Sequence, residues 1–167
     1  MSGKNKVYSS KVKYSGLFDF KEFYQFSYEW LTNELDLDVA EEEYSEKIKG
    51  SSKEISFKWK GTKKVTDYFK FEVKVEVKII PLLDVELNED GKKIKTNKGD
   101  PEVAVSGTLV SDYDGKFETS ARMKLWRSIY EKWIIPNQVK QMENKLAGDC
   151  DEFLAQVKAF LSLSGKR

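Results

Sequence analysis

The side chains able to do chemistry in this chain are few: the carboxylate run Glu41-Glu42-Glu43, the pair Asp112 and Asp114, one thiol at Cys150, and a scattered aromatic set. Neighbouring residues of a strand point to opposite faces, so Glu42 turns away from Glu41 and Glu43 and the run makes no acid–base pair. Asp112 and Asp114 share a parity but stand in Asp112-Tyr113-Asp114-Gly115, where stabilising a turn is their ordinary role. Cys150 lies beside Asp149 at an expected helix start, a place that lowers a thiol pKa. It falls on the apolar side of that helix, however, and has no histidine to activate it, so a packed thiol is expected. The 167-residue chain contains no histidine at all. That absence removes Ser-His and Cys-His nucleophiles and imidazole metal ligands, and a single cysteine excludes CxxC metal or redox sites. No catalytic residue, metal ligand or cofactor is expected.

Binding is what remains. Phe57, Trp59, Phe69, Phe71, Trp126, Tyr130 and Trp133 are the rings placed to line a ligand cavity, with Tyr130, Ser106 or Thr108 as its polar groups. The same rings would also fill a core, because each buries a large apolar area. Nucleic acid is not favoured: in "EISFKWKGTKK" Ile55, Phe57 and Trp59 take one parity and Lys58 and Lys60 the other, whereas a stacking platform needs bases and cations on one surface. A membrane-surface role rests on "RMKLWRSIYEKWII", which sets Trp and Tyr on one face and Lys124, Arg127 and Lys132 on the other. Burial of that helix against a sheet explains the same pattern.

The elements that position these residues follow from periodicity. "YFKFEVKVEVKII" alternates without a slip, Phe69, Phe71, Val73, Val75, Val77 and Ile79 against Lys70, Glu72, Lys74, Glu76 and Lys78, so one face meets a core and one meets water. From about residue 41 to 120 the period stays near two. The strands expected are "EEYSEKIKG", "KEISFKWKG", "DYFKFEVKVEVKII", "LDVELNED", "KKIKT", "EVAVSGTLVS" and "KFETSA". Turn chemistry at Gly50-Ser51-Ser52, Gly61-Thr62, Asp90-Gly91, Lys98-Gly99-Asp100-Pro101 and Asp112–Gly115 separates them into an antiparallel sheet. Pro81 marks a bend or edge.

Helices bracket this sheet. Before it, Asp19 with Glu22 forms a capping pair, Phe18 staples on Phe23, and Phe20, Phe23, Tyr24, Phe26, Trp30, Leu31 and Leu35 fill one arc. After it, Met123, Leu125, Trp126, Ile129, Tyr130, Trp133 and Ile134 fill half a helical wheel. Pro136 removes a backbone donor, and the later stripe of Val139, Met142 and Leu146 lies opposite the one centred on Trp133. Residues 136–163 are therefore expected to fold as a helical hairpin, ended and restarted at Gly148-Asp149. In it Val139, Met142 and Leu146 would meet Phe153, Leu154, Val157 and Leu161, with Phe160 and Leu163 at a junction to its own domain, a second copy or another protein.

Strand, helix, antiparallel strands and terminal helix, in that order over residues 7–135, resemble the helix-grip fold of the Bet v 1, START and polyketide-cyclase superfamily. The resemblance implies a curved antiparallel sheet wrapped around the Trp126 helix. It also implies a hydrophobic small molecule or lipid bound between sheet and helix. The alternative is a protein-interaction or assembly module with a filled core. The whole reads as one α+β domain, 1–167, with 136–163 as its extension.

Size and charge agree with such a domain. No apolar run reaches the ~20 residues of a membrane span. "MSGKNKVYSSKVK" lacks the apolar stretch of a signal peptide, and one cysteine fits a reducing compartment, so cytoplasm is expected. Twenty-nine basic and 28 acidic residues nearly cancel, but residues 34–46 are acidic and 47–64 basic. Adjacent strands are expected to pair them across a solvated face.

Overall fold

The computed structural model describes residues 3–111, 113, 121–129, 132 and 136–165. Strands β1 (Gly3–Lys13) and β2 (Gly16–Phe18) precede helix α1 (Phe20–Glu29), which continues into a π-helical turn at Trp30–Glu34. Strands β3 (Asp38–Lys49), β4 (Ser52–Lys64), β5 (Phe69–Glu89) and β6 (Lys92–Ser111) follow, then helices α2 (Ala121–Ile129) and α3 (Pro136–Ser164). The class is α+β. One open antiparallel sheet of six strands runs in the order β1-β6-β5-β4-β3, with β2 also paired to β6.

The alternation read from the sequence sets the faces. Phe69, Phe71, Val73, Val75, Val77 and Ile79 of β5 are all buried, as are Ile55, Phe57 and Trp59 of β4 and Val103, Val105 and Leu109 of β6. Lys53 pairs with Glu46 at 3.3 Å on the inner side, beside Tyr44 and Ile55, and Lys49 with Glu54 at 3.0 Å within the basic block; across the outer face Lys58 pairs with Glu43 at 3.5 Å. Glu72 is the exception on that face, only 5% exposed, with Lys60 at 3.7 Å and Lys4 at 3.9 Å from its carboxylate.

Two expected turns are not turns. Lys98-Gly99-Asp100-Pro101 lies inside β6, and "DYFKFEVKVEVKII" and "LDVELNED" are one strand. The register slips between Ile79 and Leu82, around Pro81. A Cβ at Gly99 would stand 2.5 Å from the Pro81 carbonyl oxygen, so the glycine answers the proline irregularity directly across the ladder. Gly61-Thr62 likewise stays within β4, where Gly61 leaves room for Leu37. The real β5–β6 turn is Asp90-Gly91, with φ of 51° and 79°, the two positive values that a tight hairpin requires. "KFETSA" falls largely on residues 116–120, outside the described residues.

Helix α1 starts as its sequence says. Asp19 accepts a hydrogen bond from the Glu22 amide at 2.9 Å, and Phe18 meets Phe23 edge-on at 5.9 Å. It covers the β4 half of the inner face. The β6–β1 half is covered by α3, which corrects two expectations at once. Residues 136–164 form one helix of 29 residues, not a hairpin. Leu146, Cys150, Phe153, Leu154, Val157 and Leu161 make one buried stripe that passes Gly148 without a change of phase. Gly148 inside a helix costs about 1 kcal/mol relative to alanine. Continuity of the stripe and the Lys145–Asp149 pair at 3.0 Å, which spans the glycine, outweigh it. Phe160 stacks on Phe26 of α1 at 4.6 Å, and Leu163 is exposed.

The second correction concerns the gripping helix. The sequence assigns that place to the Trp126 helix, but Trp126 is 53% exposed and Leu125 62% on α2. The stripe of α3 is longer and meets a sheet face shaped to it. A Cβ at Gly107 of β6 would lie 2.8 Å from Cys150 Sγ and 3.2 Å from Leu146 Cγ, so the absent side chain is what lets α3 approach.

Candidate binding site

Of the seven rings read as cavity-lining, Phe57, Trp59, Phe69 and Phe71 are brought together on the inner face and buried. Trp126 is not among them, and Tyr130 and Trp133 lie outside the described residues. The space over Phe57 and Trp59 is occupied. Their rings are 4.8 Å apart, and Tyr24 of α1 packs on both, at 5.2 and 5.0 Å. Phe20, Tyr28 and Tyr44 complete the cluster. Above the central strands, sheet and helix meet ring to ring.

Open space begins at the N-terminal end of α1. Between the first turn of α1, β3–β4 and the outer part of the β5–β6 hairpin lies a cleft of about 690 Å³. Its apolar wall is Phe20, Tyr44, Ile55 and Leu82, and its rim carries Lys21, Lys53, Lys95, Glu46 and Asp84. A second hollow of about 540 Å³, lined by Phe20, Lys21, Tyr24, Glu41 and Tyr44, shares Phe20, Lys21 and Tyr44 with it. The two are one trough along the side of α1.

Local hydrogen bonds fix its walls. Asn97 of β6 accepts from the Phe20 amide at 2.9 Å and donates to Asp84 at 2.8 Å, tying the helix start to the hairpin. Asp19 and Asn97 thus take two of the amides that a helix N-terminus leaves open. Glu41 accepts from the Tyr24 hydroxyl at 2.8 Å and from Trp59 Nε1 at 3.4 Å, so the carboxylate is spent on holding the aromatic wall. Burial, and then the Glu41 carboxylate, push the Tyr24 phenol up to about 12. It stays a donor across the physiological range.

None of Phe20, Tyr44, Ile55 and Leu82 belongs to the ring set chosen from sequence. Tyr44 carried the one available signal, a lone aromatic on an otherwise glutamate-rich strand. Phe69 instead faces a smaller hollow of about 380 Å³ with Leu109, Pro136 and Val139, at the start of α3.

Cys150 sits in mid-helix rather than at an N-terminus, fully buried against Gly107. Burial, with Asp149 adding to it, pushes the thiol up to about 12. The unfolded thiol ionises near 8.5. The folded pKa is the higher one, so this group's contribution to stability is complete below pH 8.5 and is lost as pH rises towards 12. Native protein is expected to resist thiol-reactive dyes at neutral pH and to react at once in denaturant. Full labelling of the native state within the dead time of mixing would contradict a dry thiol.

No group of three or more potential metal-ligating Cys, Asp or Glu side chains is present among the described residues. No helix among them is long and apolar enough to cross a membrane. Comparison with described protein families, with curated proteins and with solved structures gives no match.

Proposed function

We propose that this chain is a non-catalytic binding module that holds a hydrophobic small molecule or lipid between sheet and helix. The place is the trough beside α1 rather than the filled space over Phe57 and Trp59. The observation that carries this reading is the cleft of about 690 Å³, within the range of roughly 300–1,000 Å³ that suits such ligands. Its apolar wall backs onto a rigid stack of rings and its rim is polar, so a chain or ring would lie against Phe20 and Tyr44 with its polar end towards Lys21 and Lys95. The helix-grip likeness, which rests on element order, supports the class of ligand, although it would set the site against the C-terminal helix and the trough lies beside α1. A reducing compartment such as the cytoplasm suits the free buried thiol.

Native mass spectrometry of protein purified from its own cells, with titration of an acyl-chain fluorophore, tests the reading. Tyr44 is 44% exposed, so Tyr44→Asp leaves the fold standing while placing a charge on the apolar wall. Binding is expected to weaken about tenfold or more, which corresponds to about 1.4 kcal/mol. Unaltered affinity in that variant, or a wild-type protein that neither retains nor takes up any apolar ligand, would reject the trough as a ligand site.

The assembly reading keeps one specific support: the sheet is open, and its two outer strands, β1 and β3, are largely exposed along their lengths.

A further inference from the structure

The pattern of α2 has two physical explanations, burial against the sheet or contact with a membrane surface, and the structure removes the first. Arg122, Lys124, Leu125, Trp126, Ser128 and Ile129 are all exposed. The apolar three of them stand at 62%, 53% and 39%. Leu125, Trp126 and Ile129 share one side of the helix, and Lys124 and Ser128 take the other. Arg122 lies on the apolar side at the helix start, where a long side chain carries its charge outwards. The segment 121–129 holds three bases and no acid. A helix of nine residues is too short to hold itself in water, so its apolar side needs a surface to rest on.

The sheet concentrates positive charge at the place from which α2 departs. Ser111, the last residue of β6, and Pro136, the first of α3, line one hollow with Phe69, so residues 112–135 leave and return at one end of the sheet. On the outer face at that end, Lys4, Val110, Lys70 and Lys64 make one row across β1, β6, β5 and β4. The next outer row runs Lys6, Thr108, Glu72, Thr62 and Asp38, and the third Ser9, Ser106, Lys74, Lys60 and Ala40. Six lysines thus stand against Glu72 and Asp38, in a chain whose net charge is only +1. Residues 112–135 carry five bases and four acids, and Asp67 of the β4–β5 turn adds one acid more, so the excess survives. Further along the same face it fades, because Lys11, Lys58 and Lys78 each pair with a glutamate at 3.2–3.5 Å. Lys6, Lys70 and Lys74 form no salt bridge among the described residues.

We infer that this end of the molecule docks on an anionic lipid surface, with Leu125, Trp126 and Ile129 entering the headgroup boundary and the lysine rows facing the lipid charge. Such a surface uses both features, since attachment to it combines buried apolar area with attraction to anionic headgroups. A nucleic acid would engage the lysines but leave Leu125 and Ile129 in water, and no side chain of the three rows is a ring on which a base could stack. A second copy would bring basic α2 against its like. The trough lies towards the other end of β5, at Leu82, so the two sites are independent.

Flotation of the full chain with vesicles of phosphatidylcholine alone, and of phosphatidylcholine mixed equally with phosphatidylserine, tests the inference. Binding is expected to the mixed vesicles only, and to fall at about 1 M salt, where the screening length is about 3 Å. Leu125→Ser/Trp126→Ser changes two exposed residues and should abolish flotation. Lys6→Gln/Lys74→Gln removes two exposed charges that hold no pair and should weaken binding about tenfold or more. Tyr44→Asp, which alters the trough, should float as wild type does. Circular dichroism melts close to wild type confirm that each variant is folded. A wild type that ignores the mixed vesicles overturns the inference, and so does flotation that either double variant leaves unchanged. Flotation lost in Tyr44→Asp would place the lipid in the trough instead. In a protein that does not float, salt-sensitive retention of duplex DNA would assign the lysine rows to nucleic acid, and a dimer that Leu125→Ser/Trp126→Ser dissolves would assign α2 to self-association.

Discussion

A chain ended at Ile135 is expected to lose its cooperative fold. Removing α3 strips the cover from Val103, Val105 and Leu109 and deletes Leu146, Cys150, Phe153, Leu154, Val157 and Leu161, all buried. Each large apolar side chain contributes about 1.5–3 kcal/mol by burial. The five such residues in the stripe together reach the whole net stability of an ordinary domain, about 5–15 kcal/mol. In the structure α1 covers only the other half of the face. The expected product has no sharp thermal transition, binds a hydrophobic dye and sizes above its mass. A milder change points the same way: Gly107→Val keeps the helix but drives a side chain into Cys150 and Leu146, at the tightest point of the contact. Its melting temperature should fall by several degrees, since about 1 kcal/mol shifts a domain of this size by roughly 2–4 °C. A truncated chain that melts like the full one would show that α3 is an appendage rather than half of the core.

That result bears on what the sequence discloses. The strand faces were legible because a period of two, unbroken from Phe69 to Ile79, leaves no other assignment. The start of α1 was legible because Asp19, Glu22, Phe18 and Phe23 satisfy local rules that tertiary structure did not override. Gly148 and Gly99 misled for a common reason. Each is a residue that usually ends an element; Gly99 is retained inside β6 by the Pro81 irregularity across the ladder, and Gly148 inside α3 by the burial of Leu146 and Cys150 on either side of it. The phase of Cys150 is the clue that was available. Counted as apolar, it joins Leu146 to Phe153 across Gly148 in one helical stripe. Nothing comparable announced the trough, because its wall is assembled from α1, β3, β4 and β5 where α1 stops short of the sheet's end. An absence of cover leaves no pattern in the residues that are present.

Placement of the charged parity outside and the apolar parity inside predicts the sharpest contrast between neighbours in the chain, Val75→Asp and Lys74→Asp. Val75 is 2% exposed, in register with Trp59 on β4 and Val105 on β6, both buried. An aspartate there loses the valine's burial and places a carboxyl beside Val105 and Trp59, whose one side-chain donor, Nε1, is already given to Glu41. The combined cost is about 5 kcal/mol or more, enough to unfold many domains. Burial raises the folded pKa of such a carboxyl above its unfolded value. The variant is therefore least unstable in acid, and it loses stability as pH rises through the window between those two values. Lys74 is exposed on the opposite face, directly across from Lys60, so an aspartate at 74 exchanges a like-charge pair for an opposite one. Its effect is expected within about 0.5 kcal/mol of wild type, with a small gain the favoured sign. Urea melts of the two variants at pH 5 and pH 7 measure all of this. Similar losses at both positions would mean that β5 does not separate a dry face from a wet one. A Val75→Asp protein less stable at pH 5 than at pH 7 would mean that the new carboxylate has found a cation, and that the interior over the central strands is not the packed apolar layer its burial describes.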